Sequence, residues 1–277
     1  MSGRGVMSAL RWLGLDCVAI DAAANLEKKL TSEGVKIAFI ALHGRWGEDG
    51  TVQGLLEFMN IPYTGSGVHA SALAMNKVSS KQIFKQAGIP TPHFYVLNTA
   101  ADLEQEAVKC GRLGYPIIIK PIDEGSSIGC HVSRSRAESV RAIRRERKKY
   151  PRLFAEKYIK GKELTVGIVE RSGRNIVLPV LELVPKRPFY DYKAKYSEGL
   201  TDFIIPARLS PRVTRRVKTL ALNVHEGLCC HGVSRTDILI DQKSGRPYVL
   251  ELNTLPGLTA LSDIPPHCLH TTSTITH

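Results

Sequence analysis

Apolar positions in this chain switch repeatedly between helical and strand spacing. From the start, the pattern predicts helix, strand, helix, strand over residues 5–13, 17–20, 26–32 and 37–42. Alternation of this kind predicts a parallel α/β sheet, since parallel strands need a crossover between them. A polar loop then runs His43-Gly44-Arg45-Trp46-Gly47-Glu48-Asp49-Gly50 into a helix over 52–59. A glycine-rich loop leaving an apolar strand is where α/β sheets place ligands. A turn at 62–67 and a helix from Ala70 close this unit. The second unit begins near Lys77. A helix over 82–87 stops at Gly88, with Pro90 and Pro92 just beyond. Strand 94–97, helix 101–109 and strand 115–121 follow, then a small-residue loop over 123–129, strand 130–133, a basic helix and strand 153–159. That order predicts an α+β lid. The third unit, from about Glu163, shows strands over 164–169 and 176–183, a polar aromatic segment over 189–201 and a helix over 211–228. The expected units are therefore 1–76, 77–162 and 163–277.

The chain's most informative stretch is a hairpin. Ser234-Arg235-Thr236-Asp237-Ile238-Leu239-Ile240 and Pro247-Tyr248-Val249-Leu250-Glu251-Leu252-Asn253 flank a turn at 241–245. Alternate residues of a strand share a face, so Arg235 goes with Asp237 and Glu251 with Asn253. A turn centred on Ser244 sets Asp237 opposite Glu251 and Arg235 opposite Asn253. Opposed carboxylates repel, and a hard divalent cation such as Mg²⁺ between them would remove that cost. A slip of one residue would spoil the match. A solvated hairpin edge with scattered charge is the competing reading.

Composition adds a few limits. At 277 residues the chain exceeds the usual single-core size. The net charge of +12 favours anionic partners. Much of it lies in Arg141-Ala142-Ile143-Arg144-Arg145-Glu146-Arg147-Lys148-Lys149, which reads as a solvated helix face. No aromatics interleave it as single-strand stacking would require, so nucleic acid is not an expected partner. The six cysteines form no C-x-x-C pair. There is no signal peptide or membrane-length apolar run. Together these features fit a reducing cytoplasm.

Several further segments could handle phosphate. Gly125-Ser126-Ser127-Ile128-Gly129 offers main-chain N–H groups and hydroxyls to an anion. Lys120 ends an apolar strand and needs a counter-charge, which a phosphate would supply. Lys77 is a second candidate. Glu156, Lys157 and Glu163 could lie beside a ribose and base, but by themselves they read as exposed strand-end charges. The Gly257 N–H could meet a developing oxyanion, and Arg235 a phosphoryl or tetrahedral centre. The parts add up to a phosphoryl-transfer site with neither a Walker nor a kinase motif.

With these motifs in place, the chain resembles the ATP-grasp superfamily and, within it, the D-alanine–D-alanine ligase family. The segments that carry the resemblance are His43-Gly44 with Gly47-Glu48-Asp49-Gly50, Ile61-Pro62-Tyr63-Thr64-Gly65-Ser66-Gly67, Lys120-Pro121, Glu124 to Gly129 and Glu156-Lys157-Tyr158. Phe189-Tyr190-Asp191-Tyr192, Ala194-Lys195-Tyr196, Arg235-Thr236-Asp237 and Leu250-Glu251-Leu252-Asn253-Thr254 with Pro256-Gly257 complete it. The resemblance implies an ATP-grasp fold of α/β and α+β parts: a parallel α/β substrate domain, a central α+β ATP lid and a C-terminal α+β domain. It implies that ATP phosphorylates one D-alanine and that the amine of a second attacks the acyl phosphate. Lys77, Lys120, Ser127, Glu156, Lys157, Ile159, Glu163, Phe189 and Leu250 would hold ATP. Asp237, Glu251 and Asn253 would bind two Mg²⁺ or Mn²⁺. Arg235 and the Gly257 amide would stabilise the tetrahedral intermediate, and Lys195 would sit on a segment closing over the nucleotide. His43, Glu48 and Ser262 would bind substrate, with Ser126 and Tyr196 governing the second D-alanine. A homodimer is implied.

The family also begins with a strand and a glycine-rich loop bearing a glutamate for the first D-alanine. This sequence starts after that point, so its first unit is expected to lack a strand, and Ser126 and Tyr196 their acidic partner. After Ser262 the tail departs from the family, and residues 265–277 show no helical period. A truncated or frame-altered reading frame is expected. Two readings in other classes stay open: a nucleotide-binding remnant without ligase activity, and a basic nucleic-acid binder.

Overall fold

The computed structural model describes residues 2–125, 127–186 and 201–258. In the first unit, helices α1 (Ser2–Trp12), α2 (Leu26–Ser32), α3 (Thr51–Phe58) and α4 (Val68–Met75) form as the pattern predicts. The parallel strands do not. Residues 17–20 join no ladder, and 37–42 make a single parallel bridge, Ala38 to Tyr63. That bridge is closed by Ala38 N–H to Pro62 O at 2.8 Å and Thr64 N–H to Ala38 O at 3.0 Å. Ile40 packs inward with Leu30, Val52, Leu56, Ile61 and Leu255. On the opposite face, Ile37 is 69% exposed and Phe39 43%. The unbroken apolar run reads as a strand covered on both faces, whereas the fold covers one.

The second unit is a four-stranded antiparallel sheet in the order β1-β4-β2-β3. Its strands are β1 (Phe94–Val96), β2 (Ile117–Pro121), β3 (His131–Ser133) and β4 (Leu153–Lys157). Helix α5 (Lys77–Gln86) leads in, and α6 (Leu103–Gly111) and α7 (Arg136–Glu146) pack on the sheet. Asp102 and Ser135 cap α6 and α7 by accepting the N–H of Gln105 and Glu138. Ile117, Ile119, Leu153 and Ala155 face these helices. Period-two alternation then turns Ile118 and Lys120 to the other side of the sheet. The basic run outlasts its helix, which ends at Glu146; Arg141, Arg144 and Arg145 are exposed while Ala142 and Ile143 are buried.

The third unit is a six-stranded antiparallel sheet, β10-β9-β5-β7-β8, with β6 paired to β5. Its strands are β5 (Gly161–Arg171), β6 (Arg174–Val177), β7 (Leu181–Pro185), β8 (Thr201–Ile204), β9 (Val233–Asp241) and β10 (Pro247–Asn253). The single strand predicted over 176–183 is two. β6 pairs with the far end of β5 and β7 with its near end. Pro179 lies between them and has no N–H for a ladder. Helix α8 (Pro211–Gly227) buries Val217, Ala221 and Val224 against Leu164, Val166, Ile168 and Ile238. Ala70, Ala74 and Phe84, from α4 and α5, pack into the same core. No described helix is long and apolar enough to cross a membrane.

Candidate active site

The two sheets face each other across a cleft of about 430 Å³. Ile118, Lys120 and Glu156 line it from the second unit, and Glu163, Asp237 and Glu251 from the third. Lys77, Ser127, Lys157, Ile159 and Leu250 also line it. Nearly every nucleotide and metal residue expected from the sequence therefore meets in one place. The chain crosses between the sheets at Gly161. A side chain there would bring a Cβ within 1.8 Å of the Ile240 carbonyl oxygen, so the close approach of β5 to β9 requires glycine. Gly129 closes the small-residue loop at φ +69°, with Pro121 Cγ only 2.8 Å from where a Cβ would stand.

On the hairpin the register is the expected one: Asp237 opposite Glu251 and Arg235 opposite Asn253. It is reached through a bulge. Nearer the turn, Pro247 pairs with Ile240, and the register shifts between Val249 and Glu251. The extra residue, Leu250, brings the two carboxylates level. Residues 90–91 cover the outer edge of β10 at this point. Val249 N–H donates to Pro90 O at 2.7 Å, and Thr91 Oγ1 donates to Val249 O at 2.8 Å.

Both carboxylates hold protein cations. Arg235 forks onto Asp237, Nε to Oδ1 and a terminal nitrogen to Oδ2, each at 3.0 Å. Thr165 Oγ1 donates to Asp237 Oδ1 at 2.9 Å from β5. Lys77 Nζ lies 3.0 Å from Glu251 Oε2 and donates to Glu124 O at 2.5 Å. Lys77 is the first residue of α5, set there by the Asn76 cap. A fork and a point charge thus relieve the repulsion predicted between the carboxylates.

Lys120 finds its counter-charge in the protein: Glu156, on the neighbouring strand, contacts both Lys120 and Lys81. Burial pulls the Lys81 ammonium down from its usual range. Burial also acts to raise Glu156, but the two lysines outweigh it and hold the carboxyl low. The Lys157 ammonium donates to Gly114 O at 2.6 Å.

Glu48 sits in the 43–50 loop, accepting Gly44 N–H at 2.6 Å. Burial pushes its carboxyl up, against the opposing pull of the Gly44 N–H and the charges of His43, Arg235 and Lys77. Glu48 therefore shares an electrostatic neighbourhood with the hairpin. His43 Nε2 is 2.9 Å from Ser2 Oγ and lines a separate, apolar cavity of about 280 Å³ with Leu255 and Pro256. Gly257 lies four residues beyond the end of β10. Ser126, Phe189, Lys195, Tyr196 and Ser262 lie outside the described residues.

Three polar residues at or beside the cleft are absent from the sequence reading: Lys81, Thr165 and Glu182. Glu182 lines the cleft and accepts from Arg208 at 2.5 Å and from Lys162 at 3.2 Å. These bonds outweigh burial and hold its carboxyl down to about 2. A signal for Lys81 exists in its spacing, since four residues from Lys77 is one helical turn and the same face.

Two family models match the chain: the D-ala D-ala ligase N-terminus over residues 15–66 and the D-ala D-ala ligase C-terminus over 83–273. A D-alanine–D-alanine ligase of Carboxydothermus hydrogenoformans is 41% identical over 267 residues, covering 95% of this chain and 85% of the relative. One from Geotalea uraniireducens is 45% identical over 268 residues, covering 95% and 83%. A crystal structure of the Bacillus anthracis ligase complexed with ATP superposes with a TM-score of 0.83 at 30% identity, covering 98% of this chain and 86% of that one.

Proposed function

The chain belongs to the D-alanine–D-alanine ligase family, and from that premise we propose how its cleft joins two D-alanines at the expense of ATP, a step in making peptidoglycan precursors. A carboxylate oxygen of the first D-alanine attacks the γ-phosphorus, and ADP leaves. The amine of the second D-alanine attacks the resulting acyl carbon and sheds a proton, and inorganic phosphate departs.

The observation that carries this reading is the charge layout of the cleft. Lys120 lies on one wall, and Lys77 and Arg235 lie on the two facing carboxylates. Cations on both sides of a narrow cleft suit a phosphate chain. Lys77, Lys120, Ser127, Glu156, Lys157, Ile159, Glu163, Phe189 and Leu250 hold ATP. Lys157 is already spent on main-chain carbonyls, which suits it to shaping the wall beside the base. Asp237 and Glu251 offer hard oxygen donors at level positions of two paired strands, with Asn253 two residues further along β10, opposite Arg235. That donor set fits two Mg²⁺ or Mn²⁺ ions, which when bound would neutralise phosphate charge. Arg235 and the Gly257 N–H act on the tetrahedral centre. His43, Glu48 and Ser262 bind substrate, Ser126 and Tyr196 orient the second D-alanine, and Lys195 helps exclude water from the acyl phosphate. The reading extends to a homodimer in the cytoplasm; exposed Trp12 and Phe58 on the first unit support a partner-covered surface.

Phosphate release from ATP and Mg²⁺ is the test, run with and without D-alanine alongside dipeptide detection. D-alanine-dependent phosphate with equimolar dipeptide is expected. ATP binding without such turnover would leave the nucleotide site standing and remove the ligase.

A further inference from the structure

Lys81 has no part in the chemistry above, yet its side chain is only 1% exposed. A buried ammonium is costly unless it is paired and hydrogen-bonded. Lys81 meets one oxygen of Glu156 and donates to Thr91 Oγ1 at 2.8 Å, which ties it through Val249 O to the bulge of β10. The other Glu156 oxygen meets Lys120. One carboxylate is thus shared between two ammoniums, leaving one positive charge in excess. Lys81 is sealed, whereas Lys120 is 13% exposed and lines the cleft. The excess charge reaches the cleft through Lys120.

We propose that Lys81 is a positioning residue for the anionic end of the cleft's ligand: by engaging Glu156 from behind, it leaves Lys120 with positive charge to offer a phosphate chain. The inference rests on the nucleotide reading of the cleft. Without Lys81, Glu156 would neutralise Lys120 and the pair would carry no net charge. Lys81 itself touches neither nucleotide nor substrate.

The test is calorimetric titration of ATP, adenosine and inorganic tripolyphosphate into wild type, Lys81→Met, Lys81→Arg and Lys81→Gln, with steady-state kinetics in parallel. Lys81→Met is expected to weaken ATP and tripolyphosphate about tenfold, as loss of one charge-assisted contact does, and to leave adenosine unchanged. KM for ATP rises while kcat changes less, and Lys81→Arg recovers most of the loss. Lys81→Gln keeps a polar group beside Thr91 but carries no charge, so it is expected to weaken ATP and tripolyphosphate by the same factor as Lys81→Met. That variant keeps the test open if Lys81→Met does not fold. Equal ATP affinity in Lys81→Met and wild type would overturn the inference and spare the nucleotide reading. So would a Lys81→Gln variant that binds ATP as tightly as wild type. A wild type that binds neither ATP nor tripolyphosphate would overturn both.

Discussion

In β5, each residue from Gly161 to Val169 faces a partner on β9, and Leu164, Val166 and Ile168 are buried under α4, α5 and α8. In residues 37–42 a single bridge stands in place of a ladder, and only one face is covered. Both segments are apolar and rich in residues that favour strands. The difference is in what surrounds them. A strand becomes part of a sheet when its N–H and C=O groups meet a neighbour and its side chains meet a layer. The third unit supplies both, and it carries the facing carboxylates. The first unit supplies a loop, 43–50, that brings Glu48 near them.

The comparison can be broken most severely through the chemistry. Asp237→Asn is expected to lower D-alanine-dependent phosphate release roughly 1000-fold, about 4 kcal/mol of barrier, with urea stability close to wild type. A variant keeping a tenth of the wild-type rate would deny the hairpin its central role. Stability gives the next contrast. Leu164→Ala should cost about 3 kcal/mol in urea denaturation, because it opens a cavity in a sealed core. Phe39→Ala should cost under about 0.5 kcal/mol, as exposed substitutions do. Similar values for the two would mean that the outer face of 37–42 is covered in solution.

A smaller contrast than that between Leu164 and Phe39 is a pH dependence set by Glu182. Its carboxyl sits at about 2 against an ordinary 4.5. The folded pKa is depressed, so the stabilisation is full above pH 4.5 and is lost as pH falls toward 2. Arg208, 60% exposed, is screened by water, so the effect is on the order of 1 kcal/mol. Glu182→Gln should flatten that limb of a pH-dependent melting curve, and an unchanged slope would assign it to other carboxylates.

The hairpin was legible because its period and its turn both point to Asp237 opposite Glu251. The bulge that makes this register work was not legible, since Leu250 has an ordinary strand residue's composition. Pro179, which divides β6 from β7, was readable but was overridden by the apolar run around it. Lys81 falls outside the helix predicted over 82–87, which in the fold begins at Lys77. It is buried because α5 lies between Phe84's core on one side and Glu156 on the other. Among the described cysteines, Cys110 and Cys230 are buried and burial pushes both thiols up to about 12, whereas Cys17 and Cys130 are half-buried and Cys229 is exposed.

By itself the sequence determined the helices, the hairpin's facing residues, the loop chemistry and the family, because each is written in spacing a few residues long. Only the tertiary structure decided which strands paired, where a bulge would level two carboxylates, and which lysine would stand behind Glu156. Those depend on what the chain brings alongside from tens or hundreds of residues away, and no local period records it.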